Sequence, residues 1–235
     1  MKIENISDYI NALDDSSMHT IYRGQANKGW ELMPTIGRLY DQLDNHNTLY
    51  GNWESLEKSL LSQFKSQAAP YMNFTPATKL EWLIHAQHHG LPTPLLDWTT
   101  NPLVALYFSL SEKGNDDCDG AVYSRTPKTW HMDSDDIDRI PHLISFYPKH
   151  INPRVAAQSG CFMAFPYPNK MSPMASLSNP KSYVSTELYL GETIIIPKEK
   201  KAKLRKQLNQ LGINHKTMFP GLDGIAKQIV SEFSE

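Results

Sequence analysis

Apolar positions recur at helical spacing along some stretches of the chain and at strand spacing along others. Residues 52–68 set Trp53, Leu56, Leu60, Leu61, Phe64 and Ala68 on one stripe, which predicts an amphipathic helix stopped by Pro70. Thr78 followed by Glu81 fits a capping box, with Leu80, Leu83, Ile84 and Gln87 behind it and Gly90 ending the helix. Asn101 and Pro102 supply an N-cap and a first-turn proline for a third helix running to about Gly114. A basic helix over 198–211 turns Leu204, Leu208 and Leu211 inward and ends at Gly212, and a short helix follows around 222–232. Strand patterns occupy 19–24, closing on Gly24 with Ile21 and Arg23 on one face, and then 120–124, 155–165 and 192–196. Residues 166–181, rich in Pro, Ser, Met and Asn, read as a loop. This order predicts an α+β fold in one domain over 1–235, with helices concentrated in the first half and strands in the second.

Composition narrows the function classes. The chain has 235 residues with 8 Phe, 5 Trp and 11 Tyr, enough apolar material for a core without disulfide staples. Its two cysteines, Cys118 and Cys161, suit a reducing compartment, and a cytoplasmic location is expected. Lys2 and Glu4 interrupt the first residues, which do not read as a signal peptide, and no apolar run is long enough to span a membrane. A formal charge of −2 argues against a protein built to coat nucleic acid. No two glycines form a G-x-G pair, which excludes Rossmann fingerprints and P-loops. The acidic runs at 112–119 and 133–139 and the basic run at 198–206 read as solvated surface.

Chemistry is densest at 81–108, where Gln87, His88, His89, Asp97, Trp98, Thr99 and Thr100 fall within fourteen residues. Pro92 and Pro94 stiffen the path between them, and rigid loops bearing polar residues are where sites are usually built. His85 and His89 lie four apart, with Glu81 four residues earlier, but the pattern is not H-E-x-x-H and no metal is expected.

Ile21-Tyr22-Arg23-Gly24-Gln25 together with the 81–108 stretch resembles the FRG domain, a family named for its aromatic-Arg-Gly motif. Asp119–Tyr123, the R-x-x-x-Q-x-G-x-F pattern at 154–162 and the segment from Leu211 to Ile229 extend the resemblance from about residue 18 to 232. One departure is Pro94, where the family pattern usually has arginine.

The layout is also similar to that of ADP-ribosyltransferases of the Arg–Ser–Glu kind, which implies a mainly antiparallel split sheet. In that resemblance Tyr22-Arg23-Gly24 matches the first motif, and Leu95 to Thr99 followed by Pro102, Ala105 and Phe108 matches the second. Gln158 stands where the third-motif glutamate is expected, with Glu187 or Glu192 as alternatives. The resemblance implies a transferase with NAD as substrate, acting on a macromolecular acceptor (DNA, RNA or protein). Arg23 would hold the diphosphate, with Tyr22 and Trp98 stacking the nicotinamide beside Gly24. Thr99 or His89 would orient the ribose, and Asp97 with Gln158 or Glu187 would oppose the developing cation or position the acceptor. Enzymes of this type include bacterial toxins and phage-defence effectors, which implies a neutralising antitoxin-type partner and no membrane. A non-catalytic module holding a nucleotide or nucleic acid in the same cleft is the alternative, and hydrolysis of NAD or a phosphodiester is a third reading.

Overall fold

Alternation along the strand Ile21–Gln25 (β1) sorts the molecule into two layers. Ile21 points to one face and joins a core with Leu96, Trp98, Met163 and Phe165, while Tyr22 points to the other and packs with Val104, Leu106, Val122 and Ile196. The structure, a computed structural model, describes residues 3–13, 17–43, 50–132, 137–149, 153–178 and 188–233.

The strands are β1, Leu95–Thr99 (β2), Gly120–Pro127 (β3), His131–Met132 (β4), Ile144–Tyr147 (β5), Gly160–Ala164 (β6) and Leu188–Ile196 (β7). They form one sheet in the order β4-β5-β6-β2-β1-β3-β7. Every neighbouring pair is antiparallel except β4 with β5. Register is dense on either side of the centre, with β1 running alongside β3 from Ile21↔Arg125 to Gln25↔Ala121, and β2 alongside β6 from Leu95↔Ala164 to Thr99↔Gly160. Between β1 and β2 only Tyr22↔Thr99 is paired. The sheet is thus hydrogen-bonded from edge to edge but joined at its middle by a single rung.

The helices are Ile6–Asn11 (α1), Trp53–Ala68 (α2), Lys79–His88 (α3), Pro102–Leu110 (α4), Pro153–Ala157 (α5), Lys201–Gln210 (α6), His215–Met218 (α7) and Leu222–Glu232 (α8). Local chemistry starts the long ones as expected: Asn52 accepts from the Ser55 amide, Thr78 from Glu81 and Asn101 from Leu103. The fold is α+β, yet helices are not gathered in the first half. Two of the sheet's central strands, β1 and β2, lie there, and α5 to α8 fall in the second half. The expected strand over 155–165 is two elements, because α5 runs to Ala157 and β6 begins only at Gly160. Gln158 therefore lies in a turn, not a strand. Ser159, at φ 46°, reverses the chain there, and a Cβ at Gly160 would sit 3.1 Å from Val155. A five-residue helix carries too few turns to leave a periodic stripe.

The charged runs are also less solvated than expected. Lys201 is 1% exposed, and its ammonium donates to the carbonyls of Ala26 and Asn115, both at 2.7 Å. Arg205 pairs with Asp116 at 2.6 Å. The acidic loop and the basic helix are thus partners that hold the β7–α6 end against the sheet.

Helix α4 lies directly on β1. A Cβ placed on Gly24 would sit 1.8 Å from the Ala105 carbonyl oxygen. Glycine at 24 is therefore a packing requirement: it lets strand and helix backbones touch. Gly24→Ala is expected to destabilise the protein by about 3 kcal/mol, as overpacking against backbone does. Urea unfolding followed by circular dichroism checks this, and an unchanged midpoint would refute the contact.

Candidate functional site

Where the β1–β2 ladder stops, a cavity of about 320 Å³ opens, lined by residues 22–25 of β1 and 97–99 of β2. Helix α3 adds Gln87 and His88, the α5 region adds Arg154 and Gln158, and the turn of 3-10 helix Thr35–Gln42 adds Arg38. Pieces far apart in sequence meet because the sheet is joined there by one rung only.

Arg23 spans the gap. Its Nη1 donates to the Asp97 carbonyl oxygen at 2.5 Å, standing in for the backbone pairing that β1 and β2 do not make. Its Nε is buried without a partner. Burial pushes the Arg23 pKa down and Asp97 acts against that shift, so the guanidinium keeps its charge. Arg38 lies close enough to oppose that charge electrostatically.

Two further buried atoms on the same cleft lack partners: Gln25 Oε1 and Trp98 Nε1. Each such atom costs about 1–3 kcal/mol when left unpaired, and native structures keep few of them. Five occur among the described residues, and three of the five line this cleft. That concentration sets the cleft apart from the rest of the described residues.

Asp97 is held by a relay. The Leu95 amide donates to Thr93 Oγ1 at 3.2 Å, the Thr93 hydroxyl donates to Gln87 Oε1, and Gln87 Nε2 donates to Asp97 Oδ1 at 3.0 Å. Thr93 is fully buried, so the relay fixes which end of the Gln87 amide faces Asp97. Glu112 is the other carboxylate on the lining, and it accepts from Asn115 at 3.0 Å.

Thr99 and Gln158 line the cleft but are engaged in holding it together. The Thr99 hydroxyl donates to the Gln158 carbonyl at 2.7 Å and accepts from the Asn101 amide at 3.0 Å. Gln158 Nε2 donates to the Met218 carbonyl at 3.0 Å, tying the turn to α7. Tyr22 and Trp98 are 5% and 3% exposed, so each presents only an edge to the cleft. The Cys161 thiol on the lining is buried and its pKa is pushed far up by desolvation, which keeps it protonated.

The remaining sequence candidates fall elsewhere. His89 is exposed and stacks with Phe64, and it is His88 that reaches the cleft. Glu192 lies on β7 at the sheet edge, outside the lining. Glu187 lies outside the described residues. The cleft also holds Arg38, Arg154, Gln25 and Gln87, to which the sequence pattern assigns no role. Gln25, Gln87 and Arg154 sit inside the quoted motifs, whereas nothing in the chain signalled Arg38. Pro94 is buried and its carbonyl accepts from the Phe165 amide at 3.0 Å, so position 94 does not face the cleft here. Among the described residues no group of three or more His, Cys, Asp or Glu is placed to hold a metal.

Residues 18–118 match the family model of the FRG domain. The chain carries an FRG domain. The matched region holds β1, β2, α2, α3 and α4, and with them Arg23, Gln25, Arg38, Gln87, Asp97 and Trp98. It ends before β3, so the cleft wall bearing Arg154 and Gln158 lies beyond the matched part of the FRG domain. No curated protein and no solved structure matches the chain. No helix among the described residues is long and apolar enough to cross a membrane.

Burial depresses the pKa values of His85 and His88 on α3, and of His215 on α7, from the ordinary 6.5. Neighbouring cations add to the shift, chiefly His89 for His85, Arg154 for His88 and Lys227 for His215. The unfolded chain then takes up protons near 6.5 while the folded chain does so only at lower pH. Stability is complete above that value and declines as pH falls through it toward the depressed folded values. The melting temperature should therefore drop between about pH 7.5 and pH 5. The double variant His85→Gln/His88→Gln should drop less, and an equal drop would show that these two do not contribute.

Proposed function

We propose that the FRG-domain cleft binds NAD and transfers its ADP-ribose to a macromolecular acceptor. The observation that carries this reading is the set of orphaned buried groups, Arg23 Nε, Gln25 Oε1 and Trp98 Nε1, on residues lining a cleft that also bears Arg38 and Arg154. Such a site calls for an anion joined to a planar polar group. A dinucleotide meets both demands without a glycine-rich loop, because side-chain guanidinium groups replace backbone amides as the diphosphate partners.

In this reading Arg23 and Arg38 hold the diphosphate, and Trp98 and Gln25 contact the nicotinamide end. The bond between the ribose C1′ and the nicotinamide nitrogen breaks, and its electron pair leaves with nicotinamide. The Asp97 carboxylate, held by Gln87, faces the cationic ribose as it forms. The acceptor nucleophile bonds to C1′ and gives its proton to a carboxylate, for which Asp97 and Glu112 are the candidates among the described lining residues. A neutralising partner that covers this cleft fits the same reading.

One feature favours the alternative of a binding module without turnover. The Thr99 hydroxyl is already committed to the Gln158 carbonyl, so it offers no free proton to a ribose. Calorimetric titration with NAD, followed by assay of released nicotinamide in the presence of a cell lysate, separates the readings. The expected result is NAD binding, nicotinamide release and label transfer. Arg23→Ala should weaken binding by at least ~30-fold, the loss of about 2 kcal/mol that a charged contact contributes. Asp97→Asn should leave binding within a few-fold and abolish release. Binding without release would establish the module, and no binding at millimolar NAD would sink both NAD readings.

A further inference from the structure

Helix α8 is seated the wrong way round for an ordinary surface helix. Its inward face is Gly224 and Gln228, one turn apart. A Cβ on Gly224 would sit 1.8 Å from the Phe219 carbonyl oxygen, so α8 is pressed onto the end of α7 at that point. Gln228 is 6% exposed and its hydrogen bonds are local: it accepts from the His215 amide at 3.2 Å and donates to Asn209 Oδ1 and Glu232 Oε1. These contacts fix the rotation of the helix about its axis.

Held in that rotation, α8 turns its apolar side to solvent. Leu222 is 85% exposed, Ile225 39%, Ile229 51%, Val230 67% and the following Phe233 89%. Ala226 lies among them and is exposed too. The usual amphipathic helix buries such a stripe, with three to four apolar residues per two turns facing a core. Together these side chains expose roughly 600 Å², at the upper edge of the largest apolar patch that soluble monomers carry.

We infer that α8 is the seam of a two-fold dimer, packed antiparallel against α8 of a second copy of this chain. Two observations select a second copy as the occupant. The first is symmetry: a two-fold interface must be complementary to itself. Read from Leu222 to Phe233, the apolar pattern is the same in both directions. An antiparallel pairing centred between Lys227 and Gln228 sets Leu222 opposite Phe233, Ile225 opposite Val230 and small Ala226 opposite Ile229. Each apolar position thus meets an apolar position of the copy. The second is area: pairing two stripes covers up to about 1,200 Å², the size at which specific interfaces begin. The charge of the helix adds no preference for a charged surface, since Asp223 and Glu232 stand against Lys227 and the exposed stripe itself is uncharged.

The dimer would bear on the cleft, because α7, the helix under α8, forms part of its support. Gln158 donates to the Met218 carbonyl, and Arg154 lies over the Phe219 ring at 4.6 Å. The inference itself does not depend on what the cleft binds.

Sedimentation equilibrium of the full chain from about 1 to 100 µM is the test, a range that brackets the affinities of small symmetric interfaces. The expected result is a reversible monomer–dimer equilibrium. Ile229→Asp should weaken it at least ~100-fold by placing two like charges in the seam. Tyr71→Asp, at an exposed aromatic outside α8, should leave it unchanged. Circular dichroism of each variant shows that the fold is retained, and Leu222→Asp, in the first turn and 85% exposed, serves if Ile229→Asp unfolds. A chain that stays monomeric at 100 µM overturns the inference, as does a dimer that survives both Ile229→Asp and Leu222→Asp.

Discussion

The contact between the Arg23 guanidinium and the Asp97 carbonyl is the constraint on which the rest of the architecture turns. Strands β1 and β2 share one register pair, Tyr22↔Thr99, where each pairs fully with its other neighbour. A sheet opened at its centre exposes backbone groups that must find partners. Arg23 supplies one across the gap, and Gly24 next to it lets α4 close over β1. The same two residues thus hold the sheet together and create the space between its halves. Arginine fits the bridging task because its planar group carries several donors: one can be spent on the carbonyl while another still faces the cavity.

Around that bridge the cleft is kept in shape by side chains that bond to backbone. Thr99 holds the turn before β6, Gln158 holds α7, and the Thr93–Gln87–Asp97 relay fixes a carboxylate without using a second charge. Binding groups set on strands and locked by such bonds move little when a ligand arrives, which lowers the ordering cost of binding. The −2 total charge is therefore a poor guide to what the cleft attracts. Three arginines converge there, while many of the acids are neutralised elsewhere, as Asp119 is by Lys28 and Asp116 by Arg205.

Much of this was legible in the chain wherever a signal was local. Caps at Asn52, Thr78 and Asn101, the stop at Gly90 and the shared face of Ile21 and Arg23 all follow from spacing and turn chemistry. The family motif likewise marked Arg23, Asp97 and Trp98, which do meet. Signals failed where an element was too short to show a period, as in α5 and β5, or where two neighbours competed for one role. His88 ends α3 and His89 caps it, and only the helix phase decides which reaches the cleft. Arg38 was invisible because its position depends on how the 3-10 turn packs across the sheet. The acidic and basic runs misled for a related reason. Each looks solvated alone, and only their mutual contact buries Lys201.

What separates a structural buried charge from a functional one in this molecule is the completeness of its bonding. Lys201 has two carbonyl acceptors at 2.7 Å, and the buried Glu57 is met by Lys79 and by the Tyr167 hydroxyl, also at 2.7 Å. These groups need nothing further, and removing a partner from either would leave a buried charge exposed to its full desolvation cost. Arg23 is bonded on one side only, and Gln25 and Trp98, which line the same cleft, each keep a buried atom unsatisfied. Unsatisfied buried polar groups cost stability and are few in native chains, so three of them on residues of one cleft distinguish it from the fully bonded charges elsewhere. The same reasoning applies with opposite polarity to α8, whose polar inward face is fully bonded and whose outward face is apolar. The cleft lacks polar partners and the helix lacks apolar ones, and on the readings proposed above the missing contacts of both belong to another molecule.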